Sequence, residues 1–314
     1  MIKNILIIKH GAFGDVILAG AAMEAIRRNH KNDYIICLTT NSFKNLLEGS
    51  PWFDKVVVDS KPKWNNIKGW RNLLFFFHKY KFKKVYDLQT SYRSNFYFFI
   101  FFFLKNIDWS GIAYGSNYRH HNPKRRLMHT LDRQKAQLKI ANIKYNNHPN
   151  WRWLANNYKN NSIIPNNKFI ILVTGAAKHR LNKKWPQYRY ASLIEHFSKI
   201  DIQCVLIGGE DEFNNIENII RLVDKKTKLQ PLNYAGITQY KDIVYLSSYA
   251  KYAIGNDTGP MHLIATSGLY TIVLFGSASD PALCAPKGKN VIILNKGSIR
   301  DISIKLVFNT VKNI

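Results

Sequence analysis

Nine residues, Gly255-Asn256-Asp257-Thr258-Gly259-Pro260-Met261-His262-Leu263, carry the densest chemistry in the chain. They follow a short apolar run, Tyr252-Ala253-Ile254, and precede a small-residue helical pattern ending at Gly268. That order predicts a strand, a tight turn and a helix. Proline favours the first helical position, where its missing N–H would be unpaired anyway. Placing Pro260 there makes Gly259 the N-cap. A glycine cap has no side chain to satisfy the N–H groups of Met261 and His262. Those donors and the positive end of the helix dipole suit an anion, and the His262 side chain adds a donor. The plainer reading is an ordinary Gly/Pro-punctuated turn.

Three further groups of charged residues fall at predicted strand ends, where open α/β sheets bind ligands. The first strand, Asn4 to Lys9, runs into His10-Gly11-Ala12-Phe13-Gly14-Asp15 and a helix from Val16 to Asn29. This is a Rossmann-like opening, although its glycines give G-x-x-G and not the dinucleotide fingerprint. Asp15 caps that helix or serves a proton-transfer role. A second-half strand, Ile202 to Ile207, leads into Gly208-Gly209-Glu210-Asp211-Glu212. An acid after such a strand accepts from ribose hydroxyls, or simply complements a helix N-terminus. Lys183 and Lys184 stand just before Trp185-Pro186, which opens another helix. There is no H-E-x-x-H, and the histidines show no ligand-like spacing with acids, so no metal site is expected.

The elements that position these groups alternate. Strands are predicted at 4–9, 34–39, 56–58, 84–88 and 109–113, with helices at 16–29, 42–48, 70–80, 94–104 and 129–142. Repeated β-α alternation implies a parallel sheet covered on both faces. Tyr114 to Arg126 is basic and without periodicity, and is read as a loop. The stretch 146–167 is dense in Asn and is read as the inter-domain linker. Alternation then restarts, with strands at 169–174, 202–207, 232–235, 252–254, 270–275 and 291–294 and a terminal helix near 299–311.

With 314 residues, two domains are expected. Lys and Arg number 46 against 20 Asp and Glu, a formal charge of +26. That excess attracts polyanions, or reflects a Lys- and Asn-rich composition. A nucleic-acid-binding protein is the remote alternative, but the chain lacks an RNP signature, a helix-turn-helix pattern and a zinc finger. Three cysteines without C-x-x-C suggest neither a disulfide framework nor zinc and fit a reducing compartment. The N-terminal apolar run is broken by Lys9, His10 and Asp15, so no signal peptide is expected. The longest apolar run, Phe96 to Leu104, is too short to span a membrane.

GNDTGPMHL, followed by Phe275-Gly276 and Asp280-Pro281, resembles the C-terminal motif of family 9 glycosyltransferases, the bacterial lipopolysaccharide heptosyltransferases. That pattern runs D-T-G-x-x-H-L, a strand, then F-G-x-x-x-P. Lys183-Lys184-Trp185-Pro186 resembles the family's K-x-W-P element. The lysine-ended first strand running to Gly14-Asp15 resembles its N-terminal x-x-x-G-D pattern. The resemblance spans the whole chain.

It implies α/β GT-B architecture, two Rossmann-like domains facing a central cleft. The expected parts are an acceptor-binding domain at 1–155, a nucleotide-sugar domain at 165–298, and a terminal helix at 299–314 packing back on the first domain. It implies an inverting transferase moving a heptose from ADP-heptose to the lipopolysaccharide inner core, a lipid A–Kdo type acceptor. The same fold with another nucleotide sugar or acceptor is the alternative. Asp15, in the first-domain turn where the acceptor should arrive, is the candidate general base, and the resemblance assigns Lys183 as phosphate ligand, with Lys184 as its rival. Thr258, Gly259, Met261 and His262 join them at the phosphates. Glu212, with Glu210 and Asp211 as rivals, is the ribose acid, and Asp257 is a further sugar-binding acid. Arg119, Lys124, Arg125 and Arg126 are candidates to grip an anionic acceptor, or form a solvated basic loop. The chemistry implied needs no metal or other cofactor, the nucleotide sugar being a substrate. The expected setting is cytoplasmic, on the anionic face of the inner membrane, with no nucleic acid partner. Leu73 to Phe77 and Phe96 to Leu104 are the aromatic runs that would dock there, unless they are buried helix faces.

Overall fold

The computed structural model describes residues 2–102, 107–176 and 180–313. The last residues of the helix expected to reach Leu104, and residues 177–179 of the loop before Lys183, lie outside them. The chain divides into two compact units, 1–149 and 150–314.

The first unit contains β1 (Asn4–Ile8), α1 (Phe13–Asn29), β2 (Tyr34–Thr39), α2 (Asn41–Leu47), β3 (Lys55–Val58), α3 (Ile67–Tyr80), β4 (Lys84–Asp87), α4 (Tyr92–Phe102), β5 (Asp108–Gly111), β6 (Tyr118–Arg119) and α5 (Thr130–Ile140). The strand order is β3-β2-β1-β4-β5-β6, and every pairing is parallel. The order reverses between β1 and β4, which makes their carboxyl ends the switch point of a doubly wound sheet. Ile5 to Ile8 are fully buried, as expected of a central strand covered on both faces. Such side chains contribute roughly 1.5–3 kcal/mol each through removal from water.

Two predictions here are corrected. α1 begins at Phe13, three residues early, with Ala12 as its N-cap. Asp15 therefore sits inside the first turn and is not the cap. Gly and Ala give no capping signal, which hid this start. The supposed loop at 114–126 contains β6 and a 3₁₀ turn, Arg125–Leu127. β6 forms because Tyr118 and Arg119 pair with Ser110 and Gly111 of β5, a tertiary cause that a polar two-residue strand cannot advertise.

The aromatic runs split between core and surface. Leu73, Phe77, Tyr97, Phe98 and Phe101 are buried together with Trp109. Phe75 and Phe99 are exposed, as are Trp64, Ile67 and Tyr92. Trp64 stacks on Trp70, and Phe96 meets both edge-on.

The second unit contains β7 (Phe169–Val173), α6 (Gln187–Lys199), β8 (Gln203–Leu206), α7 (Phe213–Leu222), β9 (Leu232–Asn233), α8 (Tyr240–Ser247), β10 (Ala253–Asn256), α9 (Gly259–Ala265), β11 (Thr271–Phe275), α10 (Pro281–Cys284), β12 (Val291–Asn295) and α11 (Ile304–Lys312). The strand order, β12-β11-β10-β7-β8-β9, repeats the first unit's pattern, again all parallel. Its switch point lies between β7 and β10. The Asn-rich stretch is built onto this unit from its start. Trp151 is fully buried, Asn160 donates to Asp242 at 3.1 Å, and Tyr245 donates to Asn161 at 2.7 Å. α11 packs on α6, with Val307 in the core and Phe308 against the His196 ring. Among the described residues no helix is long and apolar enough to cross a membrane.

Candidate functional site

In the second unit, the loops leaving β7, β8 and β10 bring together Lys183, Lys184, Glu212, Asp257 and the Thr258–His262 turn. Asn256 organises them. It is fully buried at the end of β10, and all four of its amide hydrogen-bonding capacities are used. Its Nδ2 donates to Thr174 O at 2.7 Å and Gly175 O at 3.1 Å. Its Oδ1 accepts from Trp185 N at 3.1 Å and Tyr190 Oη at 3.0 Å. One side chain thus ties the end of β10 to the loop after β7 and to the segment carrying both lysines. Its place in the nine-residue motif does not by itself give Asn256 a role. The available signal was an amide at the end of an apolar strand, which must find partners when buried.

The lysines are each matched to an acid. Lys183 Nζ donates to Asp257 Oδ2 at 2.5 Å. Lys184 Nζ reaches both Glu212 oxygens, at 3.2 and 3.1 Å. Ser279, which follows Phe275-Gly276 and was not singled out from sequence, also donates to Asp257 Oδ2, at 2.7 Å. His262 Nε2 stands 3.7 Å from Asp257 Oδ1. Burial pushes the Asp257 carboxyl up, but nearby His262, the hydrogen bonds from Lys183 and Ser279, and the Lys183 charge outweigh it and hold it at about 2.

Of the three neighbouring acids, Glu212 turns inward and is buried, while Glu210 and Asp211 are exposed. Glycine makes its seat. A Cβ on Gly175 would lie 2.7 Å from the Glu212 carboxyl carbon, and one on Gly208 would lie 2.8 Å from Glu212 Cβ. A cavity of about 550 Å³ opens beside Lys184, lined in part by Thr174, Gln187 and Asn215, a size typical of small-molecule sites.

The turn differs in one detail from its prediction. α9 is capped by Thr258, and Gly259 and Pro260 are its first two residues. Proline is tolerated there because neither position needs an intrahelical donor. The Thr258 hydroxyl points back to Asn256 O at 3.3 Å and makes no cap hydrogen bond. Met261 and His262 are both buried, with His262 N bonded to Thr258 O at 3.3 Å.

In the first unit, Asp15 is half-buried in the first turn of α1, where the helix dipole favours its charge. Its Oδ1 accepts from Thr130 Oγ1 at 3.4 Å. Nearby Lys9 is buried, and that burial lowers its pKa against the pull of Asp15 and Asp87. Asp87, fully buried at the end of β4, is raised by burial although it accepts from Gln89 N and Thr90 N.

The four basic residues proposed to grip an acceptor do not converge. Lys124 and Arg126 are exposed. Arg119 lies over the Tyr114 ring with its Nε on Ile112 O. Arg125 turns inward and meets His120, Thr90 and Gln137. Burial first, then the nearby Arg133 charge, lower it to about 10.

The chain matches the model of glycosyltransferase family 9 (heptosyltransferase) over residues 73–304. It is 30% identical over 97 residues to lipopolysaccharide heptosyltransferase 2 of Salmonella typhimurium, a match covering 31% of this chain and 28% of that protein. The Escherichia coli protein of the same name gives the same figures. These matches span less than a third of either relative. Among solved structures, a family 9 glycosyltransferase from Veillonella parvula superimposes with a TM-score of 0.81 at 19% identity, covering 99% of this chain and 96% of that one. The Escherichia coli ADP-heptose lipopolysaccharide heptosyltransferase II gives 0.80 at 19%, covering 99% and 98%. At that identity the likeness establishes the fold, GT-B with its two Rossmann-like units. The family model covers most of the chain, so the chain belongs to glycosyltransferase family 9.

Proposed function

We propose that the protein transfers a heptose from ADP-heptose to the lipopolysaccharide inner core, with inversion at the sugar. One observation carries this reading: two lysines paired with two buried acids, set against the Thr258–His262 turn at the second unit's switch point. The turn and the two lysines offer donors and positive charge to a diphosphate. Asp257 and Glu212 hold the lysines in place and offer acceptors to sugar hydroxyls. A lysine about 4 Å from a phosphate is worth on the order of 4 kcal/mol before desolvation, so its charge assists departure of the leaving group.

The reaction we assign is a single displacement. The acceptor oxygen bonds to the anomeric carbon as the bond from that carbon to the diphosphate oxygen breaks. ADP leaves with the electron pair, and the acceptor proton passes to Asp15. The transfer is late, from an oxygen already made acidic by bond formation. In this account the lysines supply the charge that a divalent cation supplies elsewhere, so no metal is required.

The acceptor is a glycolipid, and we place the protein at the cytoplasmic face of the inner membrane. The exposed Trp64, Ile67, Phe75, Tyr92 and Phe99 support this, with Lys63 just before them and Lys68 and Arg71 among them in the sequence. Basic residues near an anionic surface contribute about 1 kcal/mol each.

Calorimetry with ADP, UDP and GDP on the full chain tests the donor assignment. The expected result is that ADP binds tightest and that Lys183→Ala weakens it at least about tenfold, or 1.4 kcal/mol. A preference for UDP or GDP would assign the site to another nucleotide sugar.

A further inference from the structure

Thr130 is the first residue of α5, and its hydroxyl lies between two charged groups. It donates to Asp15 Oδ1 at 3.4 Å and accepts from Arg133 Nη2 at 2.8 Å. The chemistry fixes the direction of both bonds. A guanidinium has only donors, so the oxygen must accept from Arg133. Its single hydrogen is then left for the Asp15 carboxylate.

The hydroxyl sits on a fixed stretch of backbone. Thr130 is buried, and the start of α5 is fixed by the His129 side chain, whose Nδ1 accepts from Leu131 N at 3.2 Å. Arg133 carries no ion pair within 4 Å among the described residues. Its carbonyl accepts from Arg125 Nη1 at 3.4 Å, and Arg125 Nη2 reaches Gln137 Oε1, also at 3.4 Å. Gln137 Nε2 donates to Asp87 O at 2.9 Å and Ser110 O at 3.3 Å. A polar chain therefore runs from the ends of β4 and β5, through α5, to one oxygen of Asp15.

We infer that Thr130 and Arg133 are positioning residues for Asp15, with Arg133 orienting the Thr130 hydroxyl and the hydroxyl holding Oδ1 so that Oδ2 takes the acceptor proton. The inference rests on Asp15 being the general base. Neither residue touches substrate in this account. Their effect is on geometry, where a misplacement of about 1 Å can cost on the order of 10²-fold in rate.

The test uses Thr130→Val, Thr130→Ser, Arg133→Ala and Asp15→Asn in the full chain. Turnover is measured with a lipid A–Kdo acceptor and whichever of ADP-heptose, UDP-glucose and GDP-mannose the wild type consumes. Thr130→Val keeps shape and removes the hydroxyl. We expect kcat to fall roughly 10–100-fold with donor KM within about twofold, and Thr130→Ser to recover most of the loss. Arg133→Ala should shift kcat the same way and by less. Wild-type kcat in Thr130→Val would overturn the inference, as would equal losses in Thr130→Val and Thr130→Ser, which would mark a packing role. The threonine pair decides the matter even where Arg133→Ala does not fold. Slow Asp15→Asn with normal Thr130→Val refutes the positioning role alone, whereas normal turnover in Asp15→Asn removes the base and this inference with it.

Discussion

Lys183 Nζ lies 2.5 Å from Asp257 Oδ2, and both side chains are largely buried. A buried pair of this kind contributes little net stability when intact but is costly to break, at about 3–5 kcal/mol, because one charge is left without a partner. Lys183→Met should therefore lower stability by about 3 kcal/mol as well as weakening ADP binding. Urea unfolding with and without ADP separates the two effects. Unchanged stability would mean that Asp257 is compensated by Ser279 and His262 alone.

Asp257 also sets an acid limit. Its carboxyl is held at about 2, well below its ordinary value of 3.8. A depressed folded-state pKa contributes stability above the unfolded value and loses it as pH falls through the folded one. The stabilisation, on the order of 2 kcal/mol at about 1.4 kcal/mol per pH unit, should be complete above about pH 4 and disappear towards pH 2. Asp257→Asn should flatten that part of the stability–pH curve. Parallel curves for variant and wild type over that range would contradict the assignment.

Glu212 depends on its glycine seat. Gly208→Ala places a methyl 2.8 Å from Glu212 Cβ, closer than packed carbons tolerate. The expected outcome is a destabilisation of about 1–3 kcal/mol and weaker binding of ADP, with a smaller effect on 2′-deoxy-ADP. Equal losses for both nucleotides would separate Glu212 from the ribose.

Asp15→Asn should lower turnover by about 10²–10⁴ while leaving ADP affinity in place. Because Ala12 is the cap of α1, the substitution removes only a first-turn charge worth about 0.3–1 kcal/mol, and the variant should fold. Near-normal turnover in the soluble variant would leave Asp15 a structural residue.

Much of this arrangement is legible in the residues. β-strand runs such as Tyr34 to Thr39 appear where the apolar pattern puts them, because buried parallel strands need near-continuous apolar side chains. The motif around Asp257 is likewise visible, since glycine and proline punctuate it. What stays hidden depends on tertiary partners. The Asn256 amide, the inward turn of Arg125 and the bond from Thr130 to Asp15 join residues 71, 35 and 115 positions apart. No local pattern encodes those separations. The Asn-rich stretch reads as a linker because its anchors are single residues, Trp151 above all, set among polar ones.

The exposed aromatics just before and on α3 and α4 predict membrane binding. A Trp64→Ser, Phe75→Ser, Phe99→Ser variant should sediment less with anionic vesicles than wild type, and wild type should bind anionic vesicles more than neutral ones. Equal sedimentation with both lipids would remove the electrostatic part of the account.

The most direct test of the central claim is consumption of donor by the purified chain in the presence of a lipid A–Kdo acceptor. ADP-heptose, other ADP-sugars, UDP-glucose and GDP-mannose are offered in parallel, and the glycolipid product is weighed by mass spectrometry. With ADP-heptose alone, ADP should be released and the acceptor should gain one heptose. Transfer from a UDP- or GDP-sugar with ADP-heptose untouched would contradict it.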